Sequence, residues 1–184
     1  MSTILITGAS SGLGWALSLL YAEPGVTLHL VARRSERLRD LAPLLVEAGA
    51  RPVLHEIDVR DRKKMEEMAA GLLATTGPPS LIIANAGVRG EEDGNDFRTM
   101  EQVFDTNVMG VLNTVMPFLP AMKEEGRGRI AVMGSLAGYR DFRRGEPTAP
   151  RRRRCPHGPT RFATRPNLLE SPSPSSIPAT SSQR

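Results

Sequence analysis

Residues Thr7 to Gly14 read TGASSGLG. The stretch decides the fold because of its flanks. Before it, Thr3 to Gly8 read TILITG, a short continuous run of Ile and Leu that reads as a buried strand. After it, Leu13 to Glu23 read LGWALSLLYAE, which reads as a helix. A glycine cluster at a strand-to-helix junction is what a phosphate-binding turn requires. Gly8, Gly12 and Gly14 let the backbone turn sharply and approach a pyrophosphate, and the helix N-terminus offers N–H groups and a positive dipole end. The spacing is Gly-x3-Gly-x-Gly rather than Gly-x-Gly-x2-Gly. A tight turn alone could use the same glycines; the strand before and the helix after favour the nucleotide.

The alternation continues outward. VTLHLVAR, RPVLHEIDV, SLIIANAG and RGRIAVMGS read as four further strands. Between them lie helical segments: one opens at Ser35 as N-cap and closes at Gly49, one spans 61–75, and one long helix spans 96–126 with Pro117 and Pro120 late in it. Strands alternating with helices across short loops predict an α/β, doubly wound Rossmann-type parallel sheet with helices on both faces. The regular pattern stops after Tyr139, so the predicted fold is truncated after the fifth strand. The chain then divides into an incomplete dinucleotide-binding domain over 1–141 and an Arg/Pro/Ser-rich tail over 142–184 whose composition reads as disordered.

Charge divides at the same place. The formal net charge is +4, yet residues 1–140 carry 15 Lys and Arg against 17 Asp and Glu. Residues 141–184 carry nine Arg against three acids. The basic character therefore belongs to the tail and does not argue for a nucleic-acid partner of the domain. The single cysteine, Cys155, excludes an internal disulfide framework and a cysteine-rich zinc site, and no metal site is expected. The N-terminal residues carry neither a signal-like pattern nor a membrane-spanning run, so the reading is a cytoplasmic protein with no membrane contact.

Further candidates sit at the expected strand ends. Arg33, Arg34 and Arg37 end the second strand, where such folds hold the adenosine ribose. An acid there would favour NAD; arginines suit a 2′-phosphate, so NADP is expected ahead of NAD. Arginines at a helix start can also simply be solvated. Asp58 and Val59 end the third strand, and Asn85, Ala86 and Gly87 end the fourth. Asn107 lies in the long helix and Ser135 just past the fifth strand.

In order and spacing, TGASSGLG, the Asp58–Val59 pair, NAG, the helix asparagine and GSLAG resemble the classical short-chain dehydrogenase/reductase family over residues 2–140. The resemblance implies an oxidoreductase that interconverts a small-molecule carbonyl and alcohol with a nicotinamide dinucleotide. It implies that Gly8, Ser10, Ser11, Gly12, Leu13 and Gly14 hold the pyrophosphate, and that Arg33 or Arg34 sits near the ribose. Asp58 and Val59 would flank adenine, and Asn85, with Ala86 and Gly87, would lie by the nicotinamide ribose. Asn107 would order a proton-relay water and Ser135 would hold the substrate oxygen.

The family's acid/base, a Tyr followed four residues later by Lys, is missing. It should fall near position 148, where Pro147 and Thr148 stand, and the last lysine is Lys123. Tyr139 with Arg143 imitates the spacing but comes too soon after Ser135, and Arg does not replace Lys freely. Pro147 to Cys155, PTAPRRRRC, has an alternative reading. Written CCT ACA GCG CCT CGA AGG CGG CGG TGC and read from the third base of its first codon, it becomes Tyr-Ser-Ala-Ser-Lys-Ala-Ala-Val. The same shift permits Asp-Ala-Leu-Arg from GPTRFAT and a Pro-Gly turn from PSSIPAT. A one-base frame change near Asp141–Phe142 accounts for the arginine run and the missing pair together; a phosphate-contacting tail accounts for the run alone. The chain as written reads as a dinucleotide-binding remnant. It is expected to be poorly soluble, near background in reductase activity, and without the family's helix-paired homo-oligomer. Sequencing the gene across the codons for Tyr139 to Arg144 is expected to restore one base and Tyr-Ser-Ala-Ser-Lys; an unbroken frame coding for the arginine run would refute the frame change.

Overall fold

Strand β1 (Ser2–Thr7) runs between two parallel neighbours and is buried on both faces, which is why its sequence is a continuous apolar run rather than an alternating one. The computed structural model describes residues 2–89 and 96–135, all within a unit spanning Met1–Asp141. Tyr139, the arginine run and the rest of the expected tail lie outside the described residues.

The remaining strands are β2 (Val26–Ala32), β3 (Arg51–Glu56), β4 (Leu81–Ala84) and β5 (Arg129–Val132). The sheet order is β3-β2-β1-β4-β5 and every pairing is parallel. In register, Ile4 of β1 faces Leu28 of β2 on one side and Leu81 of β4 on the other. The chain moves outward from β1 to β3, then returns to start β4 at the other flank of β1. That reversal opens a crevice at the carboxyl ends of β1 and β4.

The helices are α1 (Gly12–Leu20), α2 (Ser35–Glu47), α3 (Arg62–Thr76), α4 (Phe97–Phe104), α5 (Gly110–Val115) and α6 (Leu119–Glu124). They cover both faces, in two apolar layers. Ile4, Ile6, Leu28 and Leu30 pack with Leu38, Leu41 and Leu45 of α2, and Trp15 and Leu17 of α1 lean on the same layer. Leu5, Val31 and Ile82 point the other way, onto Met65, Met68, Ala69 and Leu72 of α3 and onto Phe118 and Met122. Each fully buried Leu or Ile contributes roughly 2 kcal/mol of transfer free energy.

Two local expectations are corrected. Ser35 is the first helical residue of α2, and the N-cap is Arg34, whose side chain makes no capping bond. The long helix is not one helix. From α4 the chain passes through a π-helical segment, Asp105–Met109, into α5, and regular helix stops at Val115. Pro117 has no N–H to continue the ladder, whereas Pro120 sits in the first turn of α6, where none is needed. The strands also end sooner than their apolar runs, so Asp58, Asn85 and Ser135 lie on loops beyond β3, β4 and β5.

Among the described residues β5 pairs only with β4, and Ile130, Val132 and Met133 are exposed. Phe97, Met100 and Phe104 on α4, Leu112 on α5 and Met116 just after it are further exposed apolar residues, Phe97 being 84% exposed. Among the described residues no helix is long and apolar enough to cross a membrane.

One polar pair, buried at His29 and half-buried at His55, crosses the edge of the sheet. His29 of β2 and His55 of β3 stack with ring centroids 5.2 Å apart, and His29 Nδ1 lies 3.0 Å from His55 Nε2. His29 Nε2 is buried and has no hydrogen-bond partner among the described residues. Burial first, then the charges of His55 and Arg51, push the His29 imidazole down to about 4, and burial also lowers His55. The unfolded chain takes up protons near the ordinary histidine value that the folded pair refuses, so this contribution is complete above that value and is lost as pH falls toward about 4. Urea titrations should therefore show the unfolding constant rising roughly tenfold from about pH 7 to about pH 5, and His29→Leu should flatten that slope. An equal slope in both proteins would remove the pair from the account.

Candidate functional site

The crevice is held open by a clasp between the ends of β1 and β4. Thr7 is buried, and its Oγ1 accepts from the backbone N–H groups of Asn85 and Ala86, both at 3.1 Å. Asn85 returns the bond: its Nδ2 donates to the Thr7 carbonyl at 3.0 Å and to the Gly8 carbonyl at 3.4 Å. The backbones come so close that a Cβ on Gly8 would lie 2.8 Å from Ala86 Cα. Gly8 also has φ +68, where a side chain is disfavoured. A Cβ on Gly14 would collide with the Gly8 carbonyl and lie 2.6 Å from Asn85 Nδ2. These two glycines let the turn, α1 and β4 meet.

Above the clasp lies a cleft of about 300 Å³. Its lining includes Gly8, Ser10, Ser11 and Leu13 from the glycine turn, Arg33 and Arg34 after β2, Asp58 and Val59 after β3, and Asn85, Ala86 and Gly87 after β4. Four loops separated widely in sequence thus meet at one carboxyl edge. Gly8 and Ala9 donate to the Val31 carbonyl at 2.8 and 3.3 Å, which ties the turn to β2. Ser11 is the N-cap of α1 and makes no side-chain capping bond, so its hydroxyl stays at the cleft wall.

Five expected residues do not line this cleft, and one of them is Arg37, which is exposed on α2. Gly12, the first residue of α1, has φ +55 and open space around its Cβ position, so its part is to carry the turn into the helix. Gly14 packs behind the turn. Asn107 sits in the π-helical segment, with Oδ1 accepting from Val88 N and Nδ2 donating to the Val88 carbonyl, both at 2.8 Å. Its side chain thus fixes the loop after Gly87. Ser135 is exposed at the carboxyl side of β5, beyond Met133, whose N–H donates to the Ala84 carbonyl at 3.0 Å.

The sequence did not single out several residues that matter here. Thr106 is buried and lines the cleft, as does Val88. Asn113, also buried, donates to the Val59 carbonyl at 2.8 Å, and a Cβ on Gly110 would lie 2.7 Å from Val59 Cγ2. Arg60 grips Asp58: its Nε and Nη2 bond the carboxylate at 2.7 to 3.2 Å and its backbone N–H at 3.0 Å. Arg33 stands further off, with Nη1 3.8 Å from Asp58 Oδ2. Burial alone would raise the Asp58 carboxyl; the Arg60 hydrogen bonds, with the charges of Arg60 and Arg33, outweigh it and hold the group below the usual carboxylate range. An Asp followed two residues later by Arg at a turn was the available signal. Among the described residues no cluster of three or more His, Cys, Asp or Glu is arranged to hold a metal ion.

A family model described as short chain dehydrogenase matches residues 2–146. An uncharacterized oxidoreductase of Myxococcus xanthus is 37% identical over 140 residues, covering 75% of this chain and 55% of that protein. An NADPH-dependent pterin aldehyde reductase of Arabidopsis thaliana is 37% identical over 139 residues, covering 72% of this chain and 56% of the relative. Among solved structures, an alcohol dehydrogenase from the archaeon Thermococcus sibiricus, complexed with 5-hydroxy-NADP, superposes with a TM-score of 0.65 at 31% identity, covering 72% of this chain and 57% of that one. The chain thus spans about half the length of these relatives.

The clasp makes a direct prediction. Thr7→Val keeps the shape but removes the acceptor for two N–H groups, and should cost about 2 kcal/mol in urea unfolding. Thr7→Ser keeps the acceptor and should cost less than half as much; equal losses would assign the effect to packing.

Proposed function

Because this chain belongs to the short-chain dehydrogenase family, we propose that residues 1–141 form the dinucleotide-binding part of an oxidoreductase that binds NADP and interconverts a small-molecule carbonyl and alcohol. The observation that carries the reading is the convergence of the glycine turn, Arg33 and Arg34, Asp58 and Val59, and Asn85 to Gly87 on one cleft. A dinucleotide fits the chemistry of that lining. Gly8 lets the turn lie against Ala86, where a Cβ would clash, Ser10 and Ser11 offer hydroxyls, and α1 presents its N-terminal N–H groups to a pyrophosphate. Arg33 and Arg34 supply positive charge at the ribose corner, which suits a 2′-phosphate, and two relatives are NADP or NADPH proteins by name or ligand.

When bound, the nicotinamide supplies or accepts the hydride. The protein's part is to orient and to move a proton. Asn85 and Gly87 would bound the nicotinamide-ribose end, and Asn107 holds the adjoining loop through Val88. Ser135, past β5, would hydrogen-bond the substrate oxygen. The proton donor expected of the family, Tyr with Lys four residues on, is absent after Ser135, since the last lysine is Lys123. That absence favours a second reading for the chain as written: it binds the dinucleotide without turning it over, and residues 142–184 are an out-of-frame tail. We take the protein to act in the cytoplasm.

Calorimetric titration should show NADPH binding at least about tenfold more tightly than NADH, the worth of one charge-assisted contact. NADPH oxidation with a panel of aldehydes and ketones should stay at background for this sequence and appear once the Tyr-Ser-Ala-Ser-Lys frame is restored. Absence of binding would overturn both readings, and turnover by the chain as written would overturn the second.

A further inference from the structure

Three charges meet where β2 and β3 end. Asp58 stands between two guanidinium groups and is 25% exposed, and the two cations treat it unequally. Arg60 takes both carboxylate oxygens, with Nη2 2.7 Å from Oδ2 and Nε 3.2 and 3.0 Å from Oδ1 and Oδ2. Its backbone N–H adds a fourth bond, to Oδ1 at 3.0 Å. Arg33 only approaches the Oδ2 edge, at 3.8 Å, and its side chain is 56% exposed at the rim of the cleft. A bidentate guanidinium–carboxylate pair is geometrically specific and satisfies the acceptor. A carboxylate already used in this way is a poor partner for a second arginine. The pair Asp58–Arg60 is close to neutral, so Arg33 and Arg34 remain as net positive charge beside the ribose end of the cleft.

We infer that Arg60 is a specificity-determining residue: by occupying Asp58 it keeps Arg33 free for a phosphate on the adenosine ribose. This rests on the reading of the cleft as a dinucleotide site and adds a device to it. Arg60 does not touch the ribose phosphate; it acts through Asp58 and Arg33. Remove Arg60 and the nearest cation for the Asp58 carboxylate is Arg33. A short rotation of that exposed side chain closes the 3.8 Å gap, and its charge is spent within the protein. Preference for the 2′-phosphate then falls, while affinity for the rest of the adenosine moiety changes little. Remove the Asp58 charge as well and nothing captures Arg33, so the preference returns.

The test compares adenosine 2′,5′-bisphosphate with 5′-AMP by calorimetry at one ionic strength. Both probes carry the same base, so the 5′-AMP dissociation constant divided by that of the bisphosphate isolates the 2′-phosphate. Arg60→Ala should lower the ratio about tenfold, one lost charge-assisted contact. The double variant Asp58→Asn with Arg60→Ala should restore it to within about threefold of the parent. Asp58→Asn alone should leave it intact, and this arm does not depend on how well Arg60→Ala folds. A merely structural role for Arg60 would weaken both probes together and leave the ratio unchanged, which overturns the inference. A ratio that stays low in the double variant, or collapses in Asp58→Asn alone, overturns it too. If the parent protein shows no preference between the probes, the NADP reading itself fails, and that outcome is distinct from the others.

Discussion

The structure depends on the clasp between Thr7 and Asn85. A parallel sheet that winds outward from its middle strand must return to that strand, and at the return point two loops diverge. Their backbone N–H and carbonyl groups leave the ladder there and need other partners. Thr7 Oγ1 serves two N–H groups, and Asn85 Nδ2 serves two carbonyls. With those groups satisfied, the crevice can stay open. Gly8 and Gly14 follow from the same constraint, since a methyl group on either would push the two loops apart.

The cleft is a secondary consequence. None of its four loops is adjacent in sequence to another, yet each leaves its strand at the same edge, so short side chains suffice to line it. The charges then sort themselves by distance. Arg60 is two residues from Asp58 and claims it; Arg33 comes from the neighbouring strand and is left at the rim. Asn107 and Asn113, from the helix on the other side, each bind a backbone group of one wall, at Val88 and at Val59. The π-helical segment holds Asn107, and regular helix resumes three residues before Asn113.

Much of this was legible in the sequence. The strands of this fold are buried on both faces and read as apolar runs, so their order and type were clear. The glycine turn, the arginines after β2 and the Asp and Asn at the ends of β3 and β4 were visible because each has a chemistry tied to a strand end. Other features carry no such signature. The break after Val115 depends on which of two prolines falls in a first turn, and Ser35 lost the N-cap position by one residue. Thr106 reaches the cleft through the winding of its helix, and Asn113 looks like any polar residue in a helix. The grip of Arg60 on Asp58 is local, but a sequence with Arg33, Arg34, Arg60 and Arg62 near one carboxylate does not say which cation reaches it.

The clasp also orders events in time. Its halves lie 78 residues apart, and β1, the first strand of the chain, is the central one. A growing chain can pair β1 with β2 early, but the other flank of β1 has no partner until β4 has been made. For all of that interval the central strand, with Ile4, Leu5 and Ile6, presents an open edge. The closing step joins distant segments and carries a loss of chain entropy that grows with the loop it closes, so a contact made late is also the one on which the cleft stands.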